Sequence, residues 1–432
     1  MGNIKRTLLC IIAVLSAGLL FSQALEKSEL LLTIDDAVKL AKENNISVKM
    51  AENTLSNLNI QNRYSWNSVS PTLNLNGSYS NDLEKDVSSI GVTGSVNLSL
   101  KSNLFSEINN ARLNYQKGSL SYSEALRSVE LLVRKSFYSL IYQKENLALQ
   151  KRNLETSYEQ YRNNQEKFRN GKISELDAFT SQVNYESKKP SVEAAEISLK
   201  NDIAAFKQVL GLSQDVQIEL KGSLDEILKF KEISMDKLPL PSNPAPEVKS
   251  AEYDVKLAKN SLLDSRFSAY SPSITGGYSL GKSKKSSSDE WTTTNQLSAG
   301  VSIPLDGYLP WSTKAVNVAA KKNSVKNAEL TLENAKTSLA VETESYIRKI
   351  NQAVKQLDSL KSTEELAQKT YQMTKTAYNY GKTDLLSLQN AGDAVLSAGV
   401  NLKSQAYSLL CTVLELEKTL GLEFGSLEKI EE

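Results

Sequence analysis

The sequence predicts an α+β membrane protein with an internal duplication, each half supplying two transmembrane β-strands and a pair of long antiparallel coiled-coil helices. Three observations predict it. Residues from about 34 to 212 and from about 243 to 422 run through one shared order of elements. Short segments in both halves alternate strictly between apolar and polar residues, and both halves carry a heptad pattern too long for a compact core. The repeat can be followed residue by residue. Val48-Lys49-x-Ala51-Glu52 returns as Val248-Lys249-x-Ala251-Glu252, Tyr64-Ser65 ahead of Pro71 returns as Phe267-Ser268 ahead of Pro272, and Phe168-x2-Gly171-Lys172-x3-Leu176 returns as Tyr378-x2-Gly381-Lys382-x3-Leu386. Each half closes on Gly-Leu, at Gly211-Leu212 and Gly421-Leu422.

In chain order, Lys5 and Arg6, the apolar run from Leu8 to Phe21 and the small-residue site Ser22-Gln23-Ala24 read as a signal peptide over residues 1–24, which places the mature chain outside the cytoplasm. Its apolar core of about 15 residues falls short of the roughly 20 that span a bilayer. No later stretch is long and apolar enough for a transmembrane helix. The first repeat, residues 25–212, opens on the capping-box-like Thr33-Ile34-Asp35-Asp36, and helix-compatible sequence runs to about Trp66 before Pro71 forces an extended chain. A weak strand with Leu73, Leu75, Gly77 and Tyr79 and a polar loop from Asn81 to Ser89 precede a strict strand. That strand sets Ile90, Val92, Gly94, Val96, Leu98 and Leu100 on one face and Gly91, Thr93, Ser95, Asn97 and Ser99 on the other.

A long helix follows from about Asn103 to Asn170, with Leu126, Val133, Leu140, Leu147, Leu154, Tyr161 and Phe168 seven apart. At about 1.5 Å per residue it measures roughly 100 Å. Such a rod has to pack lengthwise on another helix, and the return segment Ser174 to Leu210 is the nearest candidate. Pro190 predicts a kink or break within it. Residues 213–242 read as an equatorial connector leading into the proline-rich run from Pro239 to Pro246. The second repeat, residues 243–422, has a weak strand with Ile274, Gly276, Tyr278 and Leu280, then a polar loop from Lys282 to Glu290. A strict strand follows, with Leu297, Ala299, Val301, Ile303 and Leu305 set against Gln296, Ser298, Gly300, Ser302 and Pro304. Its heptad runs through Val325, Leu332, Leu339, Tyr346, Ala353, Leu360 and Ala367. Residues 423–432 are a short acidic tail.

Strands of about ten alternating residues match a tilted outer-membrane strand, with Ile90, Val92, Val96, Leu98, Leu297, Val301 and Ile303 facing lipid. A half-buried strand of a soluble sandwich alternates in the same way, so a periplasmic coiled-coil scaffold or adhesin with a soluble sheet stays open as an alternative. Against it, a charged helical rod offers no compact domain to cover the apolar face. A closed membrane barrel needs at least about eight strands because lipid tolerates no open sheet edge. Four strands therefore require identical partners, and three chains would give twelve.

Composition excludes more than it assigns. A formal net charge of +1 shows no bias toward nucleic acid, and the complete lack of histidine removes the commonest general base and metal ligand. No catalytic residue, cofactor or metal site is expected. Cys10 falls in the signal peptide, and Cys411 reads as a small buried hydrophobe. Gly171 and Gly381 stand where left-handed helix caps are wanted, Ser174-x-x-Asp177 resembles a capping box, and Asp384 occupies the matching N-cap. The two hairpin tips, with Phe168, Lys172 and Lys382, would form the end of the assembly that meets other proteins. Asp177 reads either as a cap or as a gating residue.

The order and duplication of these features resemble the TolC family of outer-membrane efflux proteins over almost the whole mature chain. The opening Leu32-Thr33-Ile34-Asp35-Asp36-Ala37-Val38 leading to Glu43-Asn44-Asn45, the proline before the first strand, Ile303-Pro304-Leu305 and both tip glycines carry the likeness. The resemblance implies a homotrimer with a shared twelve-stranded outer-membrane β-barrel continued by a periplasmic α-helical barrel. It also implies docking by the tips onto a periplasmic adaptor coupled to an inner-membrane transporter of the RND, ABC or MFS type. By position, Tyr378 falls where relatives have a tip tyrosine that helps close the tunnel, and Asp177 matches an acidic position that holds the closed state. The chain departs from the pattern at the aperture. Ser387 and Asn390 replace the acidic pair of well-known members, and Thr383 replaces a basic residue, although Lys382 stands beside it.

Overall fold

The computed structural model describes residues 30–84, 87–225, 227–233 and 244–427. The expected signal peptide with Cys10, the prolines at 239 and 241, and residues 428–432 of the tail lie outside the described residues. The elements are β1 (Leu30–Leu32), α1 (Ile34–Asn44), α2 (Ile46–Arg63), β2 (Thr72–Asp82), β3 (Val87–Lys101), α3 (Leu104–Arg169), α4 (Glu175–Leu210), β4 (Ile218–Leu220), α5 (Pro246–Tyr270), β5 (Ser273–Lys285), β6 (Thr292–Ser302), α6 (Thr313–Asn379) and α7 (Leu385–Leu420).

Four strands form one antiparallel sheet in the order β2-β3-β5-β6. Because side chains alternate along a strand, the register decides whether the four alternations agree. They do. Leu73, Val96, Tyr278 and Leu297 share one row, and Leu75, Gly94, Leu280 and Asn295 the next. Toward the helices the same face continues through Leu98, Gly276 and Ala299, then Leu100, Ile274 and Val301. Every residue of β2 and β6 is exposed, so in the single chain neither face of these edge strands is covered.

The strands run further than their periodicity indicates at one end and stop short at the other. Lys282 to Lys285, expected in a loop, belong to β5 and pair with Val92 to Ser89. Likewise β2 reaches Asp82 and β3 starts at Val87, which shortens the first loop. Ile303 lies past the end of β6, because the ladder closes at Ser302 opposite Ser273 and Pro304 has no N–H to extend it.

Helices α3 and α6 contain 66 and 67 residues, about 100 Å each at the standard rise. Each turns back into a 36-residue partner, α4 or α7. Helix α3 packs on both α4 and α7, and α7 on α6, so the four run α4–α3–α7–α6 with α4 and α6 outermost. The heptad stripe faces inward, with Val133, Leu140 and Leu147 buried. One core lies midway along the rods, where Phe137, Leu140, Phe206, Ile350, Leu357, Leu409 and Leu416 are sealed together with Ala37, Ala41 and Val48 from α1 and α2.

Sequence reading missed how this middle is built. The single helix expected to run to Trp66 is broken at Asn45, whose extended backbone ends α1 while its side chain accepts from the Ser47 N–H and donates to the Val209 carbonyl at 2.8 Å. A tertiary hydrogen bond outweighs local helix propensity there. Strand β1 pairs in parallel with β4, tying the start of the described chain to the connector. Asn351 holds the Ile233 backbone at both its N–H and C=O, and Lys361 donates to the Leu228 carbonyl. Residues 423–427 of the tail fold back on the helices. Fully buried Glu417 accepts from the Gly425 and Leu427 N–H groups at 2.9 Å each, and Arg127 donates to the Leu422 carbonyl while stacking on Phe424.

Pro190 causes no break, since α4 runs unbroken from Glu175 to Leu210. The residue is exposed, so the carbonyl one turn back, which loses its helical donor, can be met by water.

Glycines at helix ends separate two costs. Gly211 and Gly171 both have φ near +70°, but a Cβ at Gly211 would sit 2.7 Å from the Asn44 side chain, whereas one at Gly171 meets nothing within 4 Å. Gly211→Ala should therefore lower the thermal midpoint clearly more than Gly171→Ala, because only the former also collides with the α1–α2 break. Equal shifts in a circular-dichroism melt would show that backbone strain alone sets both.

Candidate functional site

The candidate site is the surface that the single chain leaves open, together with the two tips. At each tip the helix ends in the same six-residue arrangement. Gly171 (φ 66°) donates to the Phe168 carbonyl and Lys172 reaches back to Lys167, while Gly381 (φ 72°) donates to Tyr378 and Lys382 reaches back to Ala377. This pattern needs a left-handed residue, which is why glycine stands there. The return helices are then capped. Ser174 Oγ accepts from the Asp177 N–H at 3.1 Å and donates to the Asp177 carboxylate at 2.7 Å. Asp384 accepts from the Ser387 N–H at 2.7 Å. The Ser387 hydroxyl first, and then this N–H, hold the Asp384 carboxyl below the usual aspartate range.

The two tips differ in what crosses between them. Tyr378, on α6, donates its hydroxyl to Asn164 Oδ1 on α3 at 2.9 Å, and the Lys167 ammonium lies 4.8 Å above its ring. Burial raises the Tyr378 pKa; the bond to Asn164 works against that rise and the nearby Asp177 charge adds to it. Asp177 is thus close to Tyr378 but spends its carboxylate on Ser174. Asn164 is the residue that sequence reading passed over. It is 1% exposed and stands seven residues after buried Ser157 on the α3 seam, a polar pair at positions where a coiled coil wants apolar side chains. That anomaly was the available signal. Ser387 and Asn390 are exposed, Thr383 is half-buried, and Phe168, Lys172 and Lys382 are exposed at the tips. A second polar tie lies above the first, where Lys188 on α4 contacts Asp393 on α7 at 2.8 Å and Asn153 on α3 at 3.3 Å.

The outermost helices carry bare apolar seams. On α4, Leu176, Phe179, Val183 and Ile197 are exposed, and on the α6 side so are Leu366, Met373 and Tyr380, spaced by seven. A cavity of about 790 Å³ opens between α3, α6 and α7, lined by Leu149, Arg152, Glu364, Tyr371, Met373 and Gly392. The residues expected to face lipid are all exposed, from Leu98 at 36% to Leu297 at 82%, although Ile303 lies just beyond the sheet. No helix among the described residues is long and apolar enough to cross a membrane.

A sequence model described as outer membrane efflux protein matches residues 37–212 and, separately, 243–422. The outer membrane protein TolC of Vibrio cholerae is 21% identical over 355 residues, covering 81% of this chain and 80% of that protein. Among solved structures, the CmeC outer membrane channel of Campylobacter jejuni superposes with a TM-score of 0.74 at 19% identity, over 92% of this chain and 90% of its own. The open-state MtrE outer membrane channel of Neisseria gonorrhoeae gives 0.67 at 20% identity, over 90% and 89%. The fold is therefore that of the channel-tunnels.

The Asp384 cap gives a pH test with a definite sign. A carboxyl whose folded pKa is depressed stabilises the fold above its unfolded pKa, near the ordinary value of 3.8, and loses that contribution as pH falls through the folded pKa. Amide exchange at the start of α7 should therefore accelerate as pH drops below about 4, beyond the intrinsic trend. In Asp384→Asn this excess should vanish. Tyr378→Phe should weaken the tip by about 0.5–1.5 kcal/mol, read as faster exchange around Asn164 at every pH.

Proposed function

The chain belongs to the outer membrane efflux protein family, and from that membership we propose that it is the outer-membrane exit duct of a tripartite efflux or type I secretion system. It works as a passive homotrimeric channel-tunnel whose tips are opened by a periplasmic adaptor and whose transport is energised by an inner-membrane transporter. The signal peptide over residues 1–24 delivers it across the inner membrane, the two repeats form the duct, and the described part of the connector, residues 213–225 and 227–233, lies about its middle.

One observation carries the assembly. The sheet ends in two strands with open outer edges, β2 and β6, and the helical layer ends in two helices with bare apolar seams, α4 and α6. Both layers are thus unfinished at both sides, which a head-to-tail ring completes at once. Three copies give twelve strands, enough to abolish every edge. The apolar face supports a lipid-facing outside. Its rows run from Leu100 and Val301 to Tyr79, Ile90 and Lys284, and the tilted strands then give an apolar band of roughly 25 Å. Tyrosine and lysine at its far edge belong at headgroup level, where Lys282 and Lys284 can extend to phosphate.

The tips supply the gate. The Tyr378–Asn164 bond ties the two hairpins of one chain, and an adaptor hairpin lying along the groove between α3, α6 and α7 would loosen it from outside. No carboxylate is carried at Ser387 or Asn390, so closure rests on this tie and on packing.

The purified protein should be a trimer that requires detergent and forms channels in planar bilayers. Leu176→Asp combined with Phe179→Asp should convert it to monomer, because a charged seam cannot be buried against a neighbour. A protein that extracts without detergent and never conducts would instead be the scaffold or adhesin. Tyr378→Ala, Asn164→Ala and Asp177→Ala each test the latch. The first two should raise single-channel conductance, and Asp177→Ala should do so less, acting only through the cap. Conductance unchanged in all three would remove the latch.

A further inference from the structure

We infer that the wall of the barrel lumen is electrically neutral over nearly its whole height, so that the membrane part of the duct passes cationic and anionic solutes alike and leaves selection by charge to the helical part. The inference rests on the lipid-facing assignment above and concerns the opposite face of the sheet. The register gives that face row by row. Ser78, Gly91, Ser283 and Thr292 are followed by Asn76, Thr93, Gly281 and Thr294, then by Asn74, Ser95, Ser279 and Gln296. Thr72, Asn97, Gly277 and Ser298 come next, and Ser99, Thr275 and Gly300 complete the set. All are serine, threonine, asparagine, glutamine or glycine. Charges on this face stand only at its ends, Lys101 beside the helices and Asp82 and Lys285 at the far rim. Five successive rows without a charge cover roughly 27 Å measured along a strand.

Some of the polar groups on this face bond the wall itself. Thr72 Oγ1 donates to the Asn97 carbonyl, Thr275 Oγ1 to the Gly300 carbonyl and Ser298 Oγ to the Gly277 carbonyl. Ser80 and Ser89 hydroxyls bond each other at 2.7 Å. Asn97 and Ser298 also lean over Gly277, and Thr93 over Gly281, close enough that an added Cβ would touch them at 2.8–3.0 Å. Such a surface is wettable, has its dipoles partly satisfied, and carries no ring of like charge to concentrate one sign of solute. The solutes it suits are small polar or amphipathic molecules of either charge, admitted by size.

The test uses the full-length trimer reconstituted in lipid vesicles, with Cys10→Ser and Cys411→Ala as background. Ser95→Cys is reacted with a cationic and an anionic methanethiosulfonate, and each rate is divided by that of the same reagent with a free small thiol. The two normalised rates should agree within about threefold. A preference of about tenfold or more for either sign overturns the neutral lumen. Val96→Cys, one residue along on the other face, should react with neither reagent. If position 96 labels from water while position 95 does not, the face assignment itself falls, and the two failures are told apart.

Discussion

A backbone N–H or C=O at the edge of a sheet needs a partner, and in lipid water cannot be that partner. Most of this architecture depends on that requirement. The four-stranded sheet satisfies its inner edges with itself and leaves β2 and β6 open. Among the described residues, the other two strands, β1 and β4, pair with each other and leave these edges open. The same incompleteness then recurs below, where α4 and α6 end the helical layer with apolar seams uncovered. Each edge strand adjoins a helix in sequence, β2 after α2 and β6 before α6, so a neighbour that pairs with the sheet would also lie against the helical layer.

Much of this was legible in the sequence because it depends on local periodicity. Alternation of period two located the strands, sevenfold spacing located the rods, and a glycine followed by a capping residue located both tips to within a residue. Such signals survive because each is set by the chain's own geometry. What was not legible depends on partners distant in sequence. The break at Asn45 is set by a carbonyl at Val209, more than 160 residues away. Strand β1 exists only because β4 returns beside it, and the burial of Glu417 only because the tail folds back over it. Pro190 is the converse case. A strong local breaker is overruled because its exposed position lets solvent offset the missing bond. At the site, position by position likeness selected Tyr378 and Asp177 but not Asn164, the residue that accepts the Tyr378 hydroxyl from a helix distant in sequence.

The two tips show how a duplicated plan acquires unequal ends. Their glycine turns match bond for bond, since both answer the same problem of reversing a helix. The side chains above the turns do not match. The first carries a serine cap with its carboxylate at Asp177, the second an aspartate cap with its hydroxyl at Ser387. Only the second offers a tyrosine that crosses to the neighbouring hairpin. Symmetry is thus kept where backbone geometry demands it and given up where one hairpin has to hold the other.

The position of the core has a mechanical consequence. The large apolar cluster is confined to the middle of the rods, and beyond Ile141 the hairpins continue to the tips with a narrower buried seam that includes Ser157, Asn164, Ser181 and Leu388. From Leu140 to Arg169 the arm extends about 43 Å. The dense middle therefore acts as a fulcrum. A rotation of about 10° there, small enough to be absorbed by side-chain adjustment, would swing a tip by roughly 7 Å. Such a lever turns a small rotation beside the core into a wide displacement at the tips.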